Sequence, residues 1–199
     1  MPSRNFSSKF SNVVKTTLLI LIIGGLVFIW SNYGDHILSD KFPSLIRKWE
    51  VYEDKEYGII LNYPQGWKYK TDGGNIWSKS TTFFLGDDPN TENMITIEIE
   101  PLRELITKEK YLDLIKSSIL EHHEASKIIE QKDTLMLNTN AYEILYEFNY
   151  NDKIIRKLAV VTLRNKVGYI FYYEASPHEF SRYESLAQHI KNSLKFSSP

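Results

Sequence analysis

Oxygen-bearing side chains crowd one stretch of this 199-residue chain: Asp87, Asp88, Asn90 and Glu92 stand within a few positions of one another. Carboxylate and amide oxygens are the ligands calcium takes, but the stretch lacks the spacing and central glycine of a helix-loop-helix calcium loop. A solvated turn therefore competes with an ion site at Asp87, Asp88 and Glu92. His122 and His123, flanked by Glu121 and Glu124, invite a metal reading, yet neighbours on a helix point about 100° apart and cannot chelate together. His178 and His189 match no chelating interval, so surface and capping-turn roles suffice for them. Serines are plentiful, but no Gly-x-Ser-x-Gly elbow, partnered Ser-x-x-Lys frame or phosphate-cradling glycine loop accompanies them. No catalytic residue and no cofactor is expected, and the enzyme alternative, an uncharacterised hydrolase, lacks a visible nucleophile and base.

The element that decides where any such chemistry takes place is residues 16–34, TTLLILIIGGLVFIWSNYG, which no charge interrupts. As a helix these 19 residues extend roughly 28 Å, close to the hydrocarbon thickness of a bilayer. The apolar centre, residues 18–30, also suits a cleavable secretory signal. A cleavage site wants small residues at fixed places, however, and the first alanine of the chain is Ala125, which favours retention as an anchor. Trp30 and Tyr33 fit an interfacial aromatic belt, and Lys15 can snorkel at the other end. Arg4, Lys9 and Lys15 precede the span without any acid, so residues 1–15 are expected in the cytoplasm and the rest outside the membrane.

The exported part is mildly acidic. Removing those three cations leaves 21 Lys and Arg against 25 Asp and Glu, which is no footprint for nucleic acid. With no cysteine the chain has no disulfide, thiolate metal site or lipid-modified cysteine, so the fold must stand on its core. Residues 35–50 read as a juxtamembrane linker in which Leu38, Phe42, Leu45, Ile46 and Trp49 recur at helical spacing around Pro43.

Residues 51–199 read as one globular domain. A strand over 57–63 is stopped by Pro64, and Gln65-Gly66 turns the chain so that Trp67 folds back onto the same sheet; Tyr63 and Trp67 are expected in the core of this first hairpin. Further strands are predicted at 76–85 and through Ile95, Ile97 and Ile99 to Pro101, with the polar loop 86–93 between them. Thr107 caps a helix that buries Tyr111, Ile115 and Ile119. Strands at 127–137, 141–150, 153–164 and 167–175 follow, joined by Asn138-Thr139-Asn140, Asn151-Asp152 and Asn165-Lys166, connections suited to antiparallel hairpins. Ser176-Pro177-His178-Glu179 has the pattern of a capping box, opening a last helix with Phe180, Tyr183, Ala187, Ile190 and Leu194 on its apolar face.

The strand followed by Tyr63-Pro64-Gln65-Gly66-Trp67 resembles the start of PsbP-like domains, the family of the extrinsic photosystem II protein, which also occurs as anchored proteins in organisms without photosynthesis. The resemblance covers about 51–197, including the strand through Tyr169 and Tyr173 and the closing Asn192-Ser193-Leu194-Lys195-Phe196. It implies an α+β fold: an α/β/α sandwich with an antiparallel central sheet, here behind an N-terminal transmembrane helix. It also implies an accessory, protein-binding role at the outer face of the cytoplasmic or thylakoid membrane, with a small-ligand or calcium-binding domain as the alternative, since PsbP is tied to calcium retention. A membrane helix stands where a photosystem docking segment would be, so photosystem II binding does not carry over.

Protease added to intact cells is expected to remove the domain while residues 1–15 stay protected. Protection of the domain would refute this orientation, and a mature N-terminus found after Tyr33 would replace the anchor by a cleaved signal.

Overall fold

Along β5 (Met94–Pro101) Ile95, Ile97 and Ile99 are buried while Thr96, Glu98 and Glu100 are half-buried, the period-two pattern of a strand whose two faces meet different environments. The computed structural model describes residues 48–73, 78–86, 93–122 and 126–197. The expected membrane span at 16–34 and the linker up to residue 47 lie outside these, and among the described residues no helix is long and apolar enough to cross a membrane.

The elements run β1 (Trp49–Asp54), β2 (Ile59–Pro64), β3 (Trp67–Asp72), β4 (Lys79–Leu85), β5, α1 (Lys108–His122), β6 (Lys127–Met136), β7 (Thr139–Tyr150), β8 (Lys153–Arg164), β9 (Val167–Ala175), α2 (Pro177–Ser193) and β10 (Lys195–Phe196). A seven-stranded sheet has the order β3-β4-β5-β9-β8-β7-β6, and a three-stranded sheet has the order β1-β2-β10. Each strand pairing within both sheets is antiparallel. On one face of the large sheet α1 buries Tyr111, Ile115 and Ile119 against Ile144, Tyr146, Phe148, Ala159, Val161 and Ile170. On the other face α2 packs on β8, β9 and β2, burying Phe180, Tyr183, Leu186, Ala187 and Ile190.

The first hairpin is corrected by this topology, because β2 and β3 belong to different sheets. Pro64 ends β2, Gly66 takes φ 89°, and Trp67 opens β3 opposite Leu85, so the motif is a corner that hands the chain from the small sheet to the large one. The Gln65 amide donates to the Lys48 carbonyl at 3.1 Å, which closes the corner. Tyr63 and Trp67 are both buried, as expected. An aromatic seam joins the sheets there: Tyr52 meets Phe83 edge-on with centroids 5.3 Å apart, and Tyr63 lies 5.3 Å from the same ring. Trp49 does not continue a helical stripe; it opens β1 opposite Pro64 and stacks on His189 at 4.2 Å.

The three hairpins of the second half turn through pairs of residues with positive φ: Leu137 and Asn138, Asn151 and Asp152, Asn165 and Lys166. Two such residues in succession match the twist of the flanking strands. Thr139 and Asn140 are therefore already in β7, two places earlier than the sequence suggested, and the burial of Leu137 at 5% exposure holds this residue in a conformation that non-glycine residues seldom adopt. The α1 cap forms as expected, the Lys110 amide donating to Thr107 Oγ1 at 3.2 Å. The capping box at α2 does not: Ser176 makes no side-chain cap bond, Pro177 needs no acceptor at the first position, and the Glu179 carboxylate engages His178 and Arg182 instead.

Gly168, paired with Glu100 across β5 and β9, lies under the ring of Tyr111, whose hydroxyl donates to Glu100 Oε2 at 2.6 Å. A Cβ on Gly168 would collide with the hydroxyl and ring carbons of Tyr111. Gly168→Ala is expected to cost about 1–3 kcal/mol by overpacking. Denaturant unfolding of the detergent-solubilised chain checks it, and the cost should shrink in a Tyr111→Ala background because the two sites share one contact.

Candidate functional site

Lys191 falls on the buried stripe of α2, between Ile190 and Leu194, so the helix carries a cation into the sheet face. Glu143 meets it there, Oε2 lying 3.6 Å from Lys191 Nζ, with side-chain exposures of 8% and 6%. The cross-strand neighbour Lys132 closes on the other oxygen of Glu143 at 3.1 Å and on Glu130 at 2.9 Å. A buried ion pair of this kind repays its desolvation only while both partners are present, and removing one leaves a charge stranded. Above this pair a cleft opens between α2 and the β6–β7 edge. Leu145, Leu158 and Phe180 form its apolar lining, and Glu130, Lys132 and Glu184 its polar one. Arg156 flanks it, holding Glu147 at 2.6 Å and lying over the Phe180 ring.

A second polar assembly lies on the α1 face. Glu98 and Glu100, two residues apart on β5, point to the same side. Tyr111 donates to Glu100, and Lys157 is held by Glu174 at 2.6 Å and sits over the Tyr172 ring at 4.4 Å. Burial first, and then the charge of Glu100, push the Glu98 carboxyl above its ordinary value, while Lys157 and Ser78 oppose the shift. Burial, and then Glu100, also drive the Tyr111 phenol far up, so it remains a donor at any physiological pH. With the phenol committed to Glu100 and the ammonium to Glu174, this assembly is a polar seam between α1 and the sheet rather than a poised acid and base.

The residues singled out in the sequence divide clearly. Asp87, Asp88 and Glu92 lie outside the described residues, as do His123 and the side chain of His122. Among the described residues no group of three or more histidines and carboxylates is placed to hold a metal ion. His178 is exposed beside Glu179 and His189 is taken up by Trp49, so they do not converge. Sequence reasoning missed the Glu143–Lys191 pair, although a lysine on an otherwise apolar helix stripe, four residues after Ala187, was its visible signal.

Because the Glu98 carboxyl binds its proton more tightly in the folded chain, its contribution to stability is fully present below the ordinary value of 4.5 and is lost as pH rises through the raised one. Glu98→Gln is therefore expected to unfold at higher denaturant than the parent at pH 7, with the advantage vanishing below pH 4.5. Equal midpoints at both pH values would show that the burial of Glu98 carries no cost.

No protein-family model matches the sequence, and no curated protein matches it. Solved structures do resemble it. The solution structure of cyanobacterial PsbP (CyanoP) from Synechocystis sp. PCC 6803 superposes with TM-score 0.56 at 16% identity, covering 74% of this chain and 92% of that one. The crystal structure of LpqN, involved in cell envelope biogenesis of Mycobacterium tuberculosis, superposes with TM-score 0.53 at 13% identity, covering 81% of this chain and 97% of that one. At these identities the likeness concerns architecture: a mostly antiparallel sheet with two helices among the described residues, which is the PsbP-like fold.

Proposed function

We propose that this chain is a membrane-tethered, non-enzymatic PsbP-like domain that binds and stabilises a protein partner on the outer side of the cytoplasmic or thylakoid membrane. The observation that carries the reading is the PsbP-like fold following an uncharged stretch of membrane-spanning length. The involvement of LpqN in cell envelope biogenesis supports an extracytoplasmic setting for a domain of this architecture. The polar groups are engaged in joining elements: Tyr111 fixes α1 to β5, and Glu143 ties Lys191 of α2 to Lys132 of β6. Groups used in this way hold a surface in shape, which suits recognition.

Affinity enrichment of the full-length tagged chain from cross-linked membranes is expected to retain a reproducible protein partner. The partner should remain when residues 16–34 are exchanged for an unrelated spanning sequence and disappear when residues 48–199 are removed. A partner that follows the span alone would overturn the assignment of binding to the domain.

A further inference from the structure

Trp49 opens β1, but it lies on the face of that strand that turns away from the large sheet. Tyr52 and Asp54 point inward and are buried, whereas Val51 and Glu53, which share the Trp49 face, are exposed. The indole is covered instead by His189 of α2, whose ring centroid lies 4.2 Å from its own with the planes tilted by 27°. His189 is itself exposed, and among the described residues it makes neither an ion pair nor a hydrogen bond. A ring held in this way has two forms. Neutral imidazole stacks on indole through dispersion, and imidazolium adds the attraction of a cation for the negative face of the ring. Imidazole is the side chain that changes charge between about pH 5 and pH 8.

The charges around the pair leave the indole as the partner of that cation. One turn away from His189 on α2 stand Ser185, Leu186, Asn192 and Ser193, all uncharged. Opposite Trp49 on β2 is Pro64, followed on the same face by Asn62 and Ile60. Lys48 and Glu50, on either side of Trp49, belong to the other face, where Glu50 accepts the Tyr63 phenol at 2.8 Å. Glu53 and, across β2, Lys195 share the Trp49 face but lie four residues along it, about 13 Å away. Lys191 is turned inward against Glu143.

We propose that the Trp49–His189 stack is a proton-operated latch that fastens the start of β1, where the chain enters the domain, to the C-terminal half of α2. Protonation tightens the latch about two- to fivefold, the strength of a cation over an exposed aromatic face, and this extra hold is lost as pH rises and the ring becomes neutral. The bond from the Gln65 amide to the Lys48 carbonyl contains no titrating group, so the entry corner holds at either pH and the Trp49 side of the junction alone responds. The latch needs only the domain; its use, a junction with the membrane tether that stiffens in acid, rests on the anchored reading above.

The test uses the full-length protein in detergent micelles, labelled with 5-fluorotryptophan, and reads how strongly a neutral, soluble gadolinium chelate relaxes the Trp49 fluorine, a signal assigned by its loss in Trp49→Phe. From about pH 8 to about pH 5.5 the ratio of open to closed stack is expected to fall about two- to fivefold, and the relaxation to fall with it. His189→Gln, at an exposed position, should leave Trp49 accessible at both pH values. His189→Arg, whose planar cation does not titrate in this range, should keep it shielded at both. The fluorine of the buried Trp67 is the control and should not respond in any of these proteins. A Trp49 signal independent of pH in the parent, a full pH response in His189→Gln, or an accessible Trp49 in His189→Arg would each overturn the latch. A chain that shows the response although its mature N-terminus lies after Tyr33 would keep the latch and overturn its place at a membrane tether.

Discussion

The two central strands β8 and β9 are apolar on both sides, and the remaining architecture follows from the need to cover them. Leu158, Ala159, Val160, Val161 and Thr162 are buried in unbroken succession, as are Gly168, Tyr169, Ile170 and Phe171. A strand with only one dry face would alternate; these do not, so both faces must be roofed. α1 covers one face with Tyr111, Ile115 and Ile119, and α2 together with β1-β2-β10 covers the other. Either layer alone would leave a face of Val and Ile side chains in water, at about 25 cal/mol per Å² of apolar area.

Most of this architecture was legible. The limits of β8 and β9 were read correctly because long apolar runs end at Asn-Asp and Asn-Lys pairs that tolerate positive φ. The stripes of α1 and α2 were legible because a period near 3.6 survives even in polar helices. What escaped was set by tertiary context. In β3 only Trp67 is buried, so no alternation marks Lys68 to Asp72 as a strand. β1 carries its pattern in Tyr52 and Asp54, and a buried aspartate does not look like a core residue until Lys79 Nζ is seen 2.7 Å from it. The corner at Gly66 reads locally as a hairpin; that β2 and β3 lie in separate sheets shows only in their partners, β1 and β10 for β2 and β4 for β3, and β10 comes from the far end of the domain.

The candidate site was less legible than the fold for a related reason. A cleft needs side chains from β6, β7, β8 and α2 together, and no spacing within one element announces it. Glu143 and Lys191 each break an apolar pattern, but only their meeting across the sheet explains why both breaks are tolerated. By contrast, the aromatic richness of the chain, which could suggest a stacking platform, is largely absorbed in packing: Tyr52, Tyr63, Tyr146, Tyr169 and Tyr173 are all buried.

The two-residue strand β10 has a temporal consequence. The Asn62 amide donates to Ser193 Oγ at 2.9 Å across 131 positions of sequence, and the Ser197 amide donates to the Gly58 carbonyl at 2.7 Å. While the chain is being synthesised, β1 and β2 exist long before their third strand and before the helix that roofs them. Contacts that close so large a loop form late and slowly. A newly made domain must therefore pass through a stage in which the α1 layer can assemble while the opposite face stands open, and the final few residues of the domain act as a clock that ends this exposure.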